Sequence, residues 1–148
     1  MRVVIQKVTE ASVSVEGEII GGIGTGFMLL VGIGKEDTEE DVDYMVRKVS
    51  NLRVFEDAEG RMNLSLKDVN GAILSISQFT LLANTKKGNR PSFIEAADPE
   101  AGEAYYQLFN QKMCALGYRV ETGKFGAHMD VRLNNSGPVT ILIDSKNK

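Results

Sequence analysis

Ala72-Ile73-Leu74-Ser75-Ile76-Ser77-Gln78-Phe79-Thr80-Leu81-Leu82 is the stretch on which the reading of this chain turns. It begins as an apolar strand and becomes polar over Ser77-Gln78-Phe79-Thr80 before closing on two leucines. A strand buried on both faces gains nothing from such a run, because a buried amide or hydroxyl costs free energy unless it finds a partner. Ser77, Gln78, Phe79 and Thr80 are therefore candidate site residues. The competing account is local, with Ser77 and Thr80 bonding to nearby backbone in a turn.

Downstream, Lys86-Lys87-Gly88-Asn89-Arg90-Pro91 is a basic, glycine-containing loop, either a phosphate contact beside a site or an ordinary solvated loop. Asp98 as N-cap and Pro99 at the first helical position open a helix that runs to about Leu116 and stops at Gly117. Its expected face carries Ala101, Ala104, Tyr105, Leu108 and Lys112, flanked by Phe109 and Leu116. Three strands follow, Tyr118 to Glu121, Met129 to Leu133 and Val139 to Asp144. They are joined by a glycine-rich loop containing His128 and by Asn134-Asn135-Ser136-Gly137-Pro138, whose Gly-Pro bond is open to the cis form.

Upstream, Arg2 to Val15 alternates as two strands broken near Thr9-Glu10, and Glu16-Gly17 forms a hairpin turn into Glu18-Ile19-Ile20. Gly21 to Gly26 has the look of a nucleotide loop, but Phe27-Met28-Leu29-Leu30-Val31 after it is a strand, where a dinucleotide fingerprint needs a helix. These glycines read as turn and bulge positions. Thr38 caps a helix with Val42, Met45, Val46 and Val49 on its core-facing stripe, acidic residues at its start and basic ones near its end, as the macrodipole favours. Leu52 to Phe55 is a short strand, followed by the turn Asp57-Ala58-Glu59-Gly60 and a return through Arg61 to Leu64.

The 148 residues, 43% of them hydrophobic, fit a single domain with its own core, residues 1–148. Lone Cys114 has no internal disulfide partner, and no secretory leader or membrane-spanning run is present, so a soluble cytoplasmic protein is expected. A net charge of −3 argues against binding nucleic acid through a broad basic surface, and no DNA partner is expected. The strand-rich order with two helices predicts a mixed α/β fold in three layers, β/β/α. Two packed, mainly antiparallel sheets carry both helices on one side.

The chemistry open to such a chain is narrow. His128 is the only histidine and no Gly-X-Ser-X-Gly elbow accompanies it, which disfavours a Ser-His-Asp triad. One His and one Cys leave no clustered metal ligands, so neither metal nor cofactor is expected. What remains is a site of backbone groups and hydroxyls, at Ser77 to Thr80 and at Asn135 to Pro138.

Ser77-Gln78-Phe79-Thr80-Leu81 together with Asn135-Ser136-Gly137-Pro138-Val139-Thr140 resembles the paired signature of the D-aminoacyl-tRNA deacylases, formerly D-tyrosyl-tRNA deacylases. The similarity extends from Ile5-Gln6 through the Asp57 to Gly60 turn and Arg90-Pro91-Ser92-Phe93 to Phe125-Gly126-Ala127-His128-Met129. Lys7 departs from the arginine expected in many members and would brace the Gly-Pro loop through a single point instead of a fork.

The resemblance implies a homodimeric hydrolase acting on the ester between a D-amino acid and the terminal adenosine of tRNA. It implies a cis Gly137-Pro138 peptide that enters the partner's pocket and excludes L side chains, leaving D-aminoacyl and glycyl esters cleavable. It places the oxyanion at the N–H groups of Phe79 and Thr80, adenosine against Phe125 and Met129, and the acceptor end near Lys86, Lys87 and Arg90. Water assisted by the ribose 2′-hydroxyl is favoured over Thr80 as nucleophile. Two rival classes stand beside this one: a non-catalytic module holding an RNA 3′ end, and a serine or threonine esterase of small esters.

Overall fold

The computed structural model describes all 148 residues, Met1–Lys148. Its organising element is β1 (Arg2–Val15), a continuous strand where two had been expected. The polar Thr9-Glu10 step marks a change of partner, not a break. Residues 2–8 of β1 pair antiparallel with β3 (Gly26–Gly32), and residues 11–15 pair with β2 (Glu18–Ile23). Along its other edge β1 pairs with β8 (Asp130–Asp144), with register shifts between Gln6 and Val8 and between Val8 and Glu10. These irregularities move the buried positions from Val3 and Ile5 to Val8, then to Ala11 and Val13. A strand read by strict alternation looks interrupted there.

From β3 the sheet continues in parallel through β6 (Ala72–Ser77) to β7 (Val120–Thr122), giving the order β2-β1-β3-β6-β7 with β8 beside β1. Six strands thus share one hydrogen-bonded sheet where two separate sheets had been expected, and β4 (Phe55–Glu56) with β5 (Met62–Leu64) forms a small ribbon. Val54 is buried just ahead of β4, so the strand predicted over Leu52 to Phe55 begins later. The segments predicted as Met129 to Leu133 and Val139 to Asp144 are the two ends of β8, which runs through the Gly137-Pro138 step; the strand predicted over Tyr118 to Glu121 is β7, displaced toward Thr122. Gly21 and Gly22 lie inside β2, opposite a register shift at Val13 and Ser14.

Alternation along β3 and β6 divides the core. Phe27, Leu29, Val31 and Ile73 join Val3 and Ile5 in one cluster, while Met28, Leu74 and Ile76 join Val8, Ala11, Val13 and Ile23 in another. The first cluster takes in Met45 and Val49 of α1 (Glu39–Asn51) and Phe109 and Met113 of α2 (Pro99–Ala115). Both helices therefore cover one face of the central strands, and the second cluster fills the space where the sheet curls over the other face.

The Asp41 carboxylate accepts from the Thr38 N–H at 2.9 Å and so caps α1, whose predicted stripe Val42, Met45, Val46 and Val49 is buried. In α2 the Asp98 side chain accepts from the Ala101 N–H at 2.9 Å, as the N-cap reading requires. Its buried stripe is Gly102, Tyr106, Phe109 and Met113 instead of the predicted one, and Ala104 and Leu116 are exposed. Counting apolar residues misplaced the face because a glycine and a tyrosine open it. Tyr106 is admitted because its hydroxyl donates to the Ser75 carbonyl at 2.6 Å, and burial raises its pKa. Lys112 is likewise not a core position; it pairs with Glu39 at 2.9 Å and with Asp43, tying the helices together.

Candidate active site at the end of the central strand

β6 ends at Ser77, still paired with Val31 of β3, and beyond Gln78 the segment Phe79–Leu82 winds into one 3-10 turn. The Gln78 N–H still donates to Val31 C=O of β3 at 2.8 Å, and the turn closes with Leu81 N–H on Gln78 C=O at 3.3 Å. The N–H groups of Phe79 and Thr80 are the first two of that turn and precede its first internally bonded donor, Leu81 N–H, so neither has an acceptor within the turn, as at any helix start. Arg2 holds the turn's far end, its guanidinium donating to Leu81 C=O at 2.7 Å and pairing with Asp144 at 3.2 Å. The first strand, the last strand and the turn are thus locked together.

Beside the turn opens a cleft of about 540 Å³. Ser77, Gln78 and Phe79 form one wall, Phe125 and Met129 another, and Phe93, Asp98 and Gly102 close the side toward α2. Phe79, 55% exposed, meets the Phe93 ring edge-on at 5.0 Å and 71°. Phe125 lies 6.2 Å from the Tyr106 ring, which carries the cleft wall back to the core. Phe93, Asp98, Gly102 and His128 were not predicted to line the site. The only signal for Phe93 was its place in the Arg90 to Phe93 segment, and Gly102 is visible only once α2 is seen to turn this face inward.

The remaining predicted residues stand apart from this cleft. Thr80 is exposed, and its hydroxyl accepts a hydrogen bond from the Gln78 side-chain amide instead of lining the cavity. Gly137 and Pro138, joined by a cis peptide with Gly137 at φ +120°, are exposed on β8 and do not line the cleft of their own chain. Lys86, Lys87 and Arg90 are exposed and form no ion pair, on a loop closed at its base by the Asn84–Ser92 bridge. Lys7 lies with its ammonium 5.4 Å from the centre of the Phe55 ring, so its side chain is directed to an aromatic face.

His128 is 93% exposed at the rim, with Asp130 at 3.9 Å and no serine bonded to it, so no triad assembles. No group of three or more His, Cys, Asp or Glu side chains is placed to hold a metal ion, and Cys114 is exposed on α2. No helix is long and apolar enough to cross a membrane. The arrangement is a pocket at a strand end lined by an amide and aromatic faces, beside a turn whose first N–H groups have no acceptor within it, a set suited to a carbonyl compound carrying a flat ring.

Residues 4–144 match the family of D-Tyr-tRNA(Tyr) deacylases, and the chain belongs to that family. Curated D-aminoacyl-tRNA deacylases from Limosilactobacillus reuteri, strain DSM 20016 and subspecies reuteri strain JCM 1112, are each 59% identical over 97% of this chain and 99% of their own. A solved structure of c-Myc DNA unwinding element binding protein superposes with a TM-score of 0.91 at 45% identity, covering 97% of this chain and 98% of that one. A probable eukaryotic D-amino acid tRNA deacylase shares the fold, with a TM-score of 0.82 at 20% identity over 96% of this chain and 97% of that one.

Proposed function

We propose that this chain hydrolyses the ester joining a D-amino acid to the terminal adenosine of tRNA, releasing free D-amino acid and tRNA. The observation that carries the reading is the cleft wall: Ser77, Gln78 and Phe79 line a pocket with no histidine triad and no metal cluster, in a chain of the D-Tyr-tRNA(Tyr) deacylase family. Water adds to the ester carbonyl carbon, the bond to the ribose oxygen breaks, and that oxygen takes up the proton. The N–H groups of Phe79 and Thr80 bind the oxyanion, a device worth about 3 kcal/mol per donor. The Thr80 hydroxyl is engaged by Gln78 and has no base beside it, which supports water assisted by the ribose 2′-hydroxyl over attack by Thr80. Phe125 and Met129 form the face for adenine, where an aromatic ring stacks on a base.

Chirality is read by exclusion in a homodimer. The carbonyls of Gly137 and Pro138 from one subunit fill the space an L side chain needs in the other's cleft, while a D side chain points outward. Their exposure, and their absence from the cleft of their own chain, supports this exchange. Glycine has no side chain to exclude, so glycyl-tRNA is cleaved as well. Lys86, Lys87 and Arg90 meet the acceptor-end phosphates, and the enzyme works in the cytoplasm, where aminoacyl-tRNA is made. No DNA partner is proposed, because a net charge of −3 is poorly suited to a duplex.

The test is amino-acid release from matched D- and L-tyrosyl-tRNA with glycyl-tRNA alongside. Fast release from the D and glycyl forms with little from the L form is expected. Equal release from D and L would replace exclusion by general esterase activity, and no release from any form would leave an RNA 3′-end binder.

A further inference from the structure

Strands β1 and β8 pair along nearly their whole length, but the ladder opens at Lys7. Gln6 faces Thr140 and Val8 faces Asn135, so one residue of β1 stands against Ser136, Gly137, Pro138 and Val139 of β8. An excursion of this size removes ladder partners from the backbone that encloses it, and those carbonyls need other donors. The Asn135 side chain supplies them. Its Nδ2 donates to Lys7 C=O at 3.1 Å and to Val139 C=O at 3.0 Å, closing the neck of the excursion against β1. The Thr140 hydroxyl donates to the Gln6 side-chain oxygen and, at 3.4 Å, gives Asn135 Oδ1 the weaker arm of a shared hydrogen bond, consistent with the NH₂ end facing the two carbonyls. The Lys7 side chain, turned to Phe55, makes no hydrogen bond to the excursion.

We propose that Asn135 is a positioning residue for chiral discrimination: by tying Lys7 C=O to Val139 C=O it fixes where Gly137 and Pro138 stand. The inference rests on the exclusion reading above. A steric wall rejects an L side chain only while it stays in place, and one free to retreat by a fraction of an ångström admits it. Within their own chain Gly137 and Pro138 are exposed, so on that side it is the paired carbonyls of the neck that resist such a retreat.

Asn135→Asp keeps the shape of the side chain but sets a carboxylate oxygen against two carbonyl oxygens. Two hydrogen bonds become repulsions, enough to lower the D-over-L ratio of kcat/KM by about tenfold or more. The change should appear as a gain in kcat on L-tyrosyl-tRNA, with KM for D-tyrosyl-tRNA nearly unchanged, because Phe125 and Met129 are untouched. The experiment measures kcat and KM on both tyrosyl-tRNAs for the wild type, Asn135→Asp, Asn135→Ala and Thr140→Val, with Tm for each. A wild type that discriminates, with Asn135 variants that fold and release the L form faster, bears the inference out. A wild type that discriminates with variants that keep its D-over-L ratio, even at lower overall rate, overturns the inference and spares the exclusion reading. A wild type that cleaves both forms alike removes that reading and the inference with it. Should the Asn135 variants fail to fold, Thr140→Val at an exposed position decides: a ratio reduced in the same direction supports the role, and an unchanged ratio overturns it.

Discussion

Gly32 lies at the end of β3 directly beneath the 3-10 turn, and Gly32→Ala tests whether activity depends on the position of that turn. A Cβ added there would lie 2.8 Å from Leu82 Cδ2, 2.9 Å from Gln78 O and 3.0 Å from Leu81 Cβ. Ordinary contact begins at 3.4 Å, so against a carbonyl at 2.9 Å the turn must retreat by about 0.5 Å, their difference. It cannot retreat freely, since the Gln78 N–H is bonded to Val31 C=O at 2.8 Å and Leu81 C=O to Arg2 at 2.7 Å. Overpacking of this kind costs roughly 1–3 kcal/mol, and at a few degrees per kcal/mol for a chain of this size Tm should fall by roughly 3–10 °C. A misplacement of about 1 Å costs on the order of a hundredfold in rate, so half of that predicts a fall of about tenfold in kcat. KM should move little, because the Phe125 and Met129 wall is elsewhere. Gly24→Ala, where the nearest atom is Thr9 O at 4.0 Å, is the comparator and should change neither quantity. Single-turnover release from D-tyrosyl-tRNA with parallel melting curves is the assay. A Gly32→Ala protein that melts lower but keeps its full kcat would refute the argument that backbone groups of the turn carry the chemistry.

Other perturbations probe separate parts of the molecule. Thr80→Ala should retain turnover within about tenfold, since it removes a hydroxyl but no backbone donor; loss of all release would make Thr80 the nucleophile. Replacing Lys86, Lys87 and Arg90 together by Gln should flatten the log–log salt dependence of binding by a slope of about 2, at about 0.7 for each single-strand phosphate contact. An unchanged slope would place the tRNA elsewhere. Asp41 is pushed up by burial, but hydrogen bonds from the Ser145 hydroxyl, the Thr38 N–H and Lys146 outweigh this and hold its pKa far below the usual carboxylate value. A depressed folded-state pKa stabilises fully above the unfolded value of about 3.9 and is lost as pH falls below it. Melting temperature should therefore decline as pH drops below about 4, and Asp41→Asn should flatten that decline while lowering Tm at neutral pH.

Local chemistry made some features plain from the residues alone. Asp98-Pro99 and Gly117 bounded α2, the stripe from Val42 to Val49 fixed the buried face of α1, and of the polar strand end read at Ser77 to Thr80, Ser77, Gln78 and Phe79 line a cleft while Thr80 does not. Each depends on neighbours within a few residues. Ladder partners, by contrast, come from distant parts of the chain. That β1 passes from β3 to β2 without breaking, that β8 carries Gly137-Pro138 as an excursion within one strand, and that six strands share one sheet are decided by pairing across as many as 142 positions, as between Arg2 and Asp144. The same holds for the inward face of α2. A glycine and a tyrosine line it because the Ser75 carbonyl is waiting for a hydroxyl, and that acceptor is supplied by a strand 31 residues away. Sequence determined which residues were unfit for a plain core; only the tertiary structure decided which came together, because a backbone group's partner is chosen by the fold and not by its neighbours along the chain.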